Sequence, residues 1–183
     1  MARCSAISNY GALPQKGQNP TGCRTDSPHR PPQQREGFML EVMRSFYFED
    51  LSVGMRERLM RTVMEDDVTG FASVTGDHNP IHIDEAYAAQ TRFGQRIAHG
   101  MFTASLISAV LGTRLPGPGA IYLSQTLQFL APVRIGDVVT ATVEVSELVP
   151  ARRRVRLFCD CVCDGKAVLE GEAWVAVPSR ADL

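Results

Sequence analysis

Residues Gly100 to Thr113 read GMFTASLISAVLGT, a stretch without one charged side chain. A helix on a solvent-facing layer carries charge along its outer side, so this helix is expected to be buried all round. A lipid bilayer does not enclose it, because a transmembrane helix needs about 20 apolar residues. The rest of the chain has to supply the wrapping.

Four segments supply it. AIYLSQTLQFLAPV (120–133), DVVTATVEVSEL (137–148), RRVRLFCDCVCDG (153–165) and KAVLEGEAWVAV (166–177) alternate in polarity and are rich in β-branched and aromatic residues. Turn signals from Pro132 to Asp137 and at Asp164-Gly165 separate them. Val139, Ala141, Val143 and Val145 share one face of their strand, and so do Val155, Leu157, Cys159, Cys161 and Cys163. An antiparallel sheet with one apolar face and a wholly apolar helix satisfy each other when the sheet curls around the helix. The expected fold class is α+β, a hotdog-like arrangement.

Upstream, EDDVTGFASVT (65–75) reads as a helix with acids in its first turn and Gly76 as its stop. Asp84 is placed to cap a second short helix, EAYAAQTR (85–92). Residues 1–37 hold five of the eleven prolines and four glycines and show no periodicity, so they are expected to be a disordered extension before a single domain over 38–183. The 183 residues, 44% of them hydrophobic, suffice for that one core.

A net charge of −1 gives no overall field favouring nucleic acid, an anionic membrane or an acidic partner. No secretory signal or membrane span is visible, and the expected location is the cytoplasm. Five cysteines are an odd number, and Cys159, Cys161 and Cys163 alternate along one strand. A lone strand wraps a tetrahedral ion poorly, so they are read as small buried hydrophobes of a reduced protein.

The chemistry concentrates in TGDHNPIHIDE, Thr75 to Glu85. Three readings compete: a capping loop built from turn-forming residues, a metal site drawn from Asp77, His78, His82 and His99, and an acid–base pair. Pro80 disfavours the helix that would put His78 and His82 on one face for a metal. Asn79-Pro80 redirects the chain after Asp77, which lets His82 face back toward it.

FASVTGDHNPIHID, followed by RIAHGMFTASLISAVLG and IYLSQTLQFLAPVRIGDVVTATVEV, resembles the MaoC-like family of hotdog proteins, in particular its stand-alone (R)-specific enoyl-CoA hydratases. The likeness spans about residues 46–177. It implies reversible addition of water to a trans-2-enoyl-CoA, giving an (R)-3-hydroxyacyl-CoA, with no metal or redox cofactor and with coenzyme A only as part of the substrate. By position, Asp77 and His82 would hold the catalytic water. The Gly100 N–H would bind the thioester carbonyl, and Ser108 would stand near the pair as a helper. Two titratable groups sharing one water suit this reaction, which removes one proton from the nucleophile and delivers one to the α-carbon. The resemblance, and the need to cover sheet edges, point to a homodimer.

Other residues receive plainer readings. His78 is expected to be solvated, His99 to pack in its corner, and Arg152, Arg153 and Arg154 to form a charged strand-entry turn. Met101, Phe102 and Leu106 are candidates for an acyl tunnel. The alternatives to a hydratase are a hotdog acyl-CoA thioesterase and a non-catalytic acyl-thioester-binding protein. Met39 and Met43 precede the first patterned segment, so a chain beginning at Met39 is expected to keep full solubility and activity; loss of either in the truncated protein would show that the leader is needed.

Overall fold

The alternating segments pair into one six-stranded antiparallel sheet in the order β1-β4-β5-β6-β2, with β3 also paired to β6. The strands are β1 (Arg56–Thr62), β2 (Ile121–Gln125), β3 (Gln128–Phe129), β4 (Val138–Val149), β5 (Arg154–Cys163) and β6 (Lys166–Ala176). The structure is a computed structural model that describes residues 43–182. The expectations for residues 1–37 and for Met39 lie outside the described residues.

Burial follows the alternation. Val139, Ala141, Val143 and Val145 on β4, and Val155, Leu157, Cys159 and Cys161 on β5, are all fully buried. Their register, with Ala141 opposite Cys161 and Val145 opposite Leu157, lines the apolar side chains up on one face. A bulge at Ser146, whose hydroxyl donates to the Arg156 carbonyl at 3.1 Å, adds local twist to the long strand.

Two strand expectations need correction. The segment 120–133 is two strands, because Thr126 crosses close over β6: a β-carbon at Gly171 would lie 1.9 Å from the Thr126 carbonyl oxygen. Strand β1 was not foreseen at all. RERLMRT carries charge where an edge strand meets solvent, which masks the alternation and discourages pairing with another chain.

Among the described residues, four α-helices lie in the connections: α1 (Glu65–Thr75), α2 (Pro80–Ile83), α3 (Glu85–Ala89) and α4 (Gly100–Thr113). Helix α4 packs on β4, β5 and β1, inserting Phe102, Leu106, Ile107, Val110 and Leu111 into the sheet's apolar face. It is not buried all round. Met101, Ser105, Ser108 and Gly112 form a stripe left exposed. These side chains are mostly small and uncharged, so hydropathy alone could not tell the inner from the outer side. No helix among the described residues is long and apolar enough to cross a membrane.

Ile107 is 0% exposed at the centre of this packing. Ile107→Ala is therefore expected to lower unfolding stability by about 2–5 kcal/mol, the range for a cavity left in a close-packed core. Urea unfolding checks this, and a loss below about 1 kcal/mol would contradict the enclosed placement of α4.

Candidate active site

Asp77 follows the C-terminus of α1, just past Gly76. Local bonds shape its turn: its backbone N–H donates to the Thr75 hydroxyl, and its carboxylate accepts from the Asn79 N–H, both at 3.3 Å. The Asn-Pro pair does more than turn the chain. Asn79 caps α2, accepting from the Ile81 N–H at 3.3 Å, and Pro80 occupies the first helical position, where its missing N–H costs nothing. The single turn so started carries His82 inward. Asp84 then caps α3 by accepting from the Tyr87 N–H at 2.9 Å. Helix α3 ends at Ala89, shorter than the stretch to Arg92 that its composition suggested.

A second segment, Arg96 to Gly100, clasps this one. Arg96 bridges Glu65 of α1 at 3.0 Å and Glu85 of α3 at 2.9 Å. Ile97 donates its N–H to the Ile81 carbonyl at 3.3 Å and accepts from His82 Nδ1 at 2.8 Å. Ala98 donates to the Val133 carbonyl at 2.8 Å, tying the clasp to the loop before β4. His99 Nε2 donates to the Asp77 carbonyl at 3.0 Å. Gly100 then opens α4, whose first internal bonds run from the Phe102 and Thr103 N–H groups to the His99 carbonyl.

These contacts fix the chemistry of His82. A carbonyl only accepts, so the bond to Ile97 puts the proton of the neutral ring on Nδ1 and leaves the Nε2 lone pair free. His82 is 9% exposed. Burial, with help from the neighbouring His99, pushes its pKa below the ordinary histidine value, against the opposing pull of the Ile97 carbonyl and Asp77. It is thus poised as a neutral acceptor at physiological pH.

Asp77, His82 and His99 bring a carboxylate oxygen and two ring nitrogens within 4.8 Å of one another. They line a cleft of about 440 Å³, together with Gly100 and the rings of Phe93 and Phe129. A methyl group at position 100 would stand 2.8 Å from the Phe129 ring, so glycine lets that ring lie close against the helix N-terminus. Its N–H precedes the intrahelical bonds, and the helix dipole adds positive potential there.

The structure brings together Asp77, His82 and Gly100, three of the four residues singled out from sequence. Ser108 is not among them: it is exposed and does not line the cleft. Eight residues carry it about 12 Å along the helix from Gly100. Of the tunnel candidates, Met101 lines the cleft, whereas Phe102 and Leu106 belong to the core. His78 is exposed, and the Arg152–Arg154 stretch is the turn into β5, with Arg153 paired to Asp182. Thr103 and Arg92 also reach the cleft, Arg92 lying 4.8 Å over the Phe93 ring. A polar residue within the apolar helix was the available signal for Thr103; Arg92 had none. The bonds to the carbonyl groups take up His82 Nδ1 and His99 Nε2, so a metal ion at these three residues would have to use His82 Nε2 and His99 Nδ1.

A hotdog domain thus sets a carboxylate and a neutral imidazole, groups able to take up and give a proton, in a cleft at the start of its central helix. The chain belongs to the MaoC-like family: residues 51–157 match the MaoC like domain. It is 60% identical to a 3-hydroxybutyryl-CoA dehydratase of Methylorubrum extorquens over 79% of this chain and 92% of that one. Identity to an (R)-specific enoyl-CoA hydratase of Rhodospirillum rubrum is 56%, over 73% and 93% of the two chains. Among solved structures, an unliganded R-hydratase of Pseudomonas aeruginosa superposes with a TM-score of 0.72 at 44% identity, covering 74% of this chain and 88% of that one.

Because the folded-state pKa of His82 lies below its unfolded value, the unfolded chain takes up this proton first as pH falls. Its contribution to stability is therefore lost as pH drops through about 6.5 toward the folded value, and is flat above that. An NMR titration of the His82 ring is expected to give a midpoint below 6.5, the ordinary histidine value. A midpoint above it would overturn the neutral-acceptor assignment.

Proposed function

We propose that this protein adds water reversibly to a trans-2-enoyl-CoA to give an (R)-3-hydroxyacyl-CoA, with Asp77 and His82 acting as a pair on one water molecule. The observation that carries the mechanism is the spacing of the two groups. A water with ordinary hydrogen bonds of about 2.8 Å to both partners spans a gap of up to about 5 Å, and a carboxylate oxygen of Asp77 and a ring nitrogen of His82 lie within 4.8 Å of each other. The substrate class and stereochemistry follow the names of the relatives, an (R)-specific hydratase and a hydroxybutyryl-CoA dehydratase.

In the forward direction the pair takes one proton from the water as its oxygen bonds to the β-carbon. The pair then returns one proton to the α-carbon, so the protein ends as it began. The two groups titrate together and act as a unit. Charge that develops on the thioester oxygen meets the Gly100 N–H and the α4 dipole, a contribution of about 3 kcal/mol for a donor of this kind. No step calls for a metal or redox cofactor, and coenzyme A enters only with the substrate.

The working protein is proposed to be a cytoplasmic homodimer. Supporting the dimer are the exposed α4 stripe and the exposed apolar side chains of β2 and β3, namely Ile121, Tyr122, Leu123 and Phe129. A second copy that covered them would remove surface that is costly to leave in water.

Purified protein is expected to consume crotonyl-CoA, seen as loss of the enoyl absorbance, without releasing free thiol. Asp77→Ala and His82→Ala should each lower kcat about 10²–10⁴-fold. Thiol release with the enoyl chromophore intact would replace this reading with a thioesterase. Tight binding of the thioester without turnover would leave a binding protein.

A further inference from the structure

We infer that His99 is a positioning residue, which fixes the Asp77 backbone through its Nε2–H and fixes the His82 ring by stacking against it. The inference rests on the hydration reading of the same cleft. Packing was the expectation from sequence, and His99 does pack: it is 2% exposed, with the Phe71 ring 5.0 Å away. Packing alone does not account for an imidazole in this place.

The reason is the other ring nitrogen. The bond to the Asp77 carbonyl puts the proton of the neutral ring on Nε2, so Nδ1 carries a lone pair. Nδ1 is buried and has no hydrogen-bond partner among the described residues. An unpaired buried acceptor is destabilising. Against Phe71, a phenylalanine of similar size would fill the space without that penalty. What the histidine offers, and phenylalanine does not, is one donor aimed at Asp77.

That donor matters because Asp77 is otherwise weakly held. Its residue is exposed, and its own turn bonds at 3.3 Å are long. The 3.0 Å bond from a buried ring at the head of α4 ties its backbone to a helix packed against three strands. The same ring lies 3.8 Å from the His82 ring, centroid to centroid, at an interplanar angle of 31°. One side chain thus spaces the carboxylate and the imidazole relative to each other and to Gly100, its chain neighbour. Misplacing a reacting group by about 1 Å can cost about 100-fold in rate.

His99→Phe and His99→Gln separate positioning from packing. Phenylalanine keeps the ring and loses the donor; glutamine keeps an N–H donor and loses the ring. With crotonyl-CoA, His99→Phe is expected to lose about 10- to 100-fold in kcat with KM within about 2-fold, and His99→Gln to recover a good part of that loss. Thermal midpoints should run in the opposite order, with the phenylalanine variant the more stable. A merely structural role makes kcat follow thermal stability, and that result, or wild-type kcat in His99→Phe, would overturn the inference. Should His99→Phe not fold, His99→Leu takes its place with the same expected loss. Wild-type protein inactive on enoyl-CoA would instead overturn the hydration reading, and the inference with it.

Discussion

The structure depends on how the Arg96–Gly100 segment is pinned. Two of its bonds, from His82 Nδ1 to the Ile97 carbonyl and from His99 Nε2 to the Asp77 carbonyl, join the two ends of the reactive turn to the head of the central helix. Neither end of that turn belongs to the sheet. Asp77 hangs from the end of α1, and His82 sits on a single helical turn too short to be stable alone. The segment has the rigidity that they lack, because it runs directly into a helix packed against three strands. Arg96 extends the same pinning outward by holding acids at the starts of α1 and α3.

This arrangement divides the labour within the cleft by environment. His82 and His99 are sheltered, so their hydrogen bonds compete little with water and their tautomers are set by the carbonyls they face. Asp77 stands at the solvent side, where a substrate and water can reach it. Apolar rings at Phe93 and Phe129 complete the lining, so the polar groups of the cleft face an apolar wall. Placing the helix N-terminus at this spot supplies a fixed positive end without introducing a charged side chain.

Much of this was legible in the sequence wherever one physical signal dominated. Helices α1 and α4 have the bounds that their composition and end signals suggested, and the buried faces of β4 and β5 are those given by strict alternation. Asp77, His82 and Gly100 were identifiable because the turn chemistry and the helix start sit beside titratable groups. What escaped were features set by tertiary partners. The charges of β1 are satisfied by edge position and by pairing with Glu144 and Asp67. The exposed stripe of α4 looks apolar on paper because its residues are small. His99 read as a packing residue, because nothing in its neighbours along the chain says that its ring will find a carbonyl 22 residues away.

The three cysteines of β5 carry a consequence of their own. Burial pushes the thiols of Cys159 and Cys161 up to about 12 and that of Cys163 up to about 11, and the Cys161 sulfur lies 3.7 Å from the Thr103 carbonyl of α4. Almost no thiolate exists there while the sheet is closed on the helix, so oxidants and alkylating reagents find no nucleophile. Modification of Cys161 has to wait for β5 to part from α4. Cys161 therefore serves as an internal gauge of how often the sheet's grip on its helix relaxes, legible from chemical labelling rates and silent about motions confined to the surface.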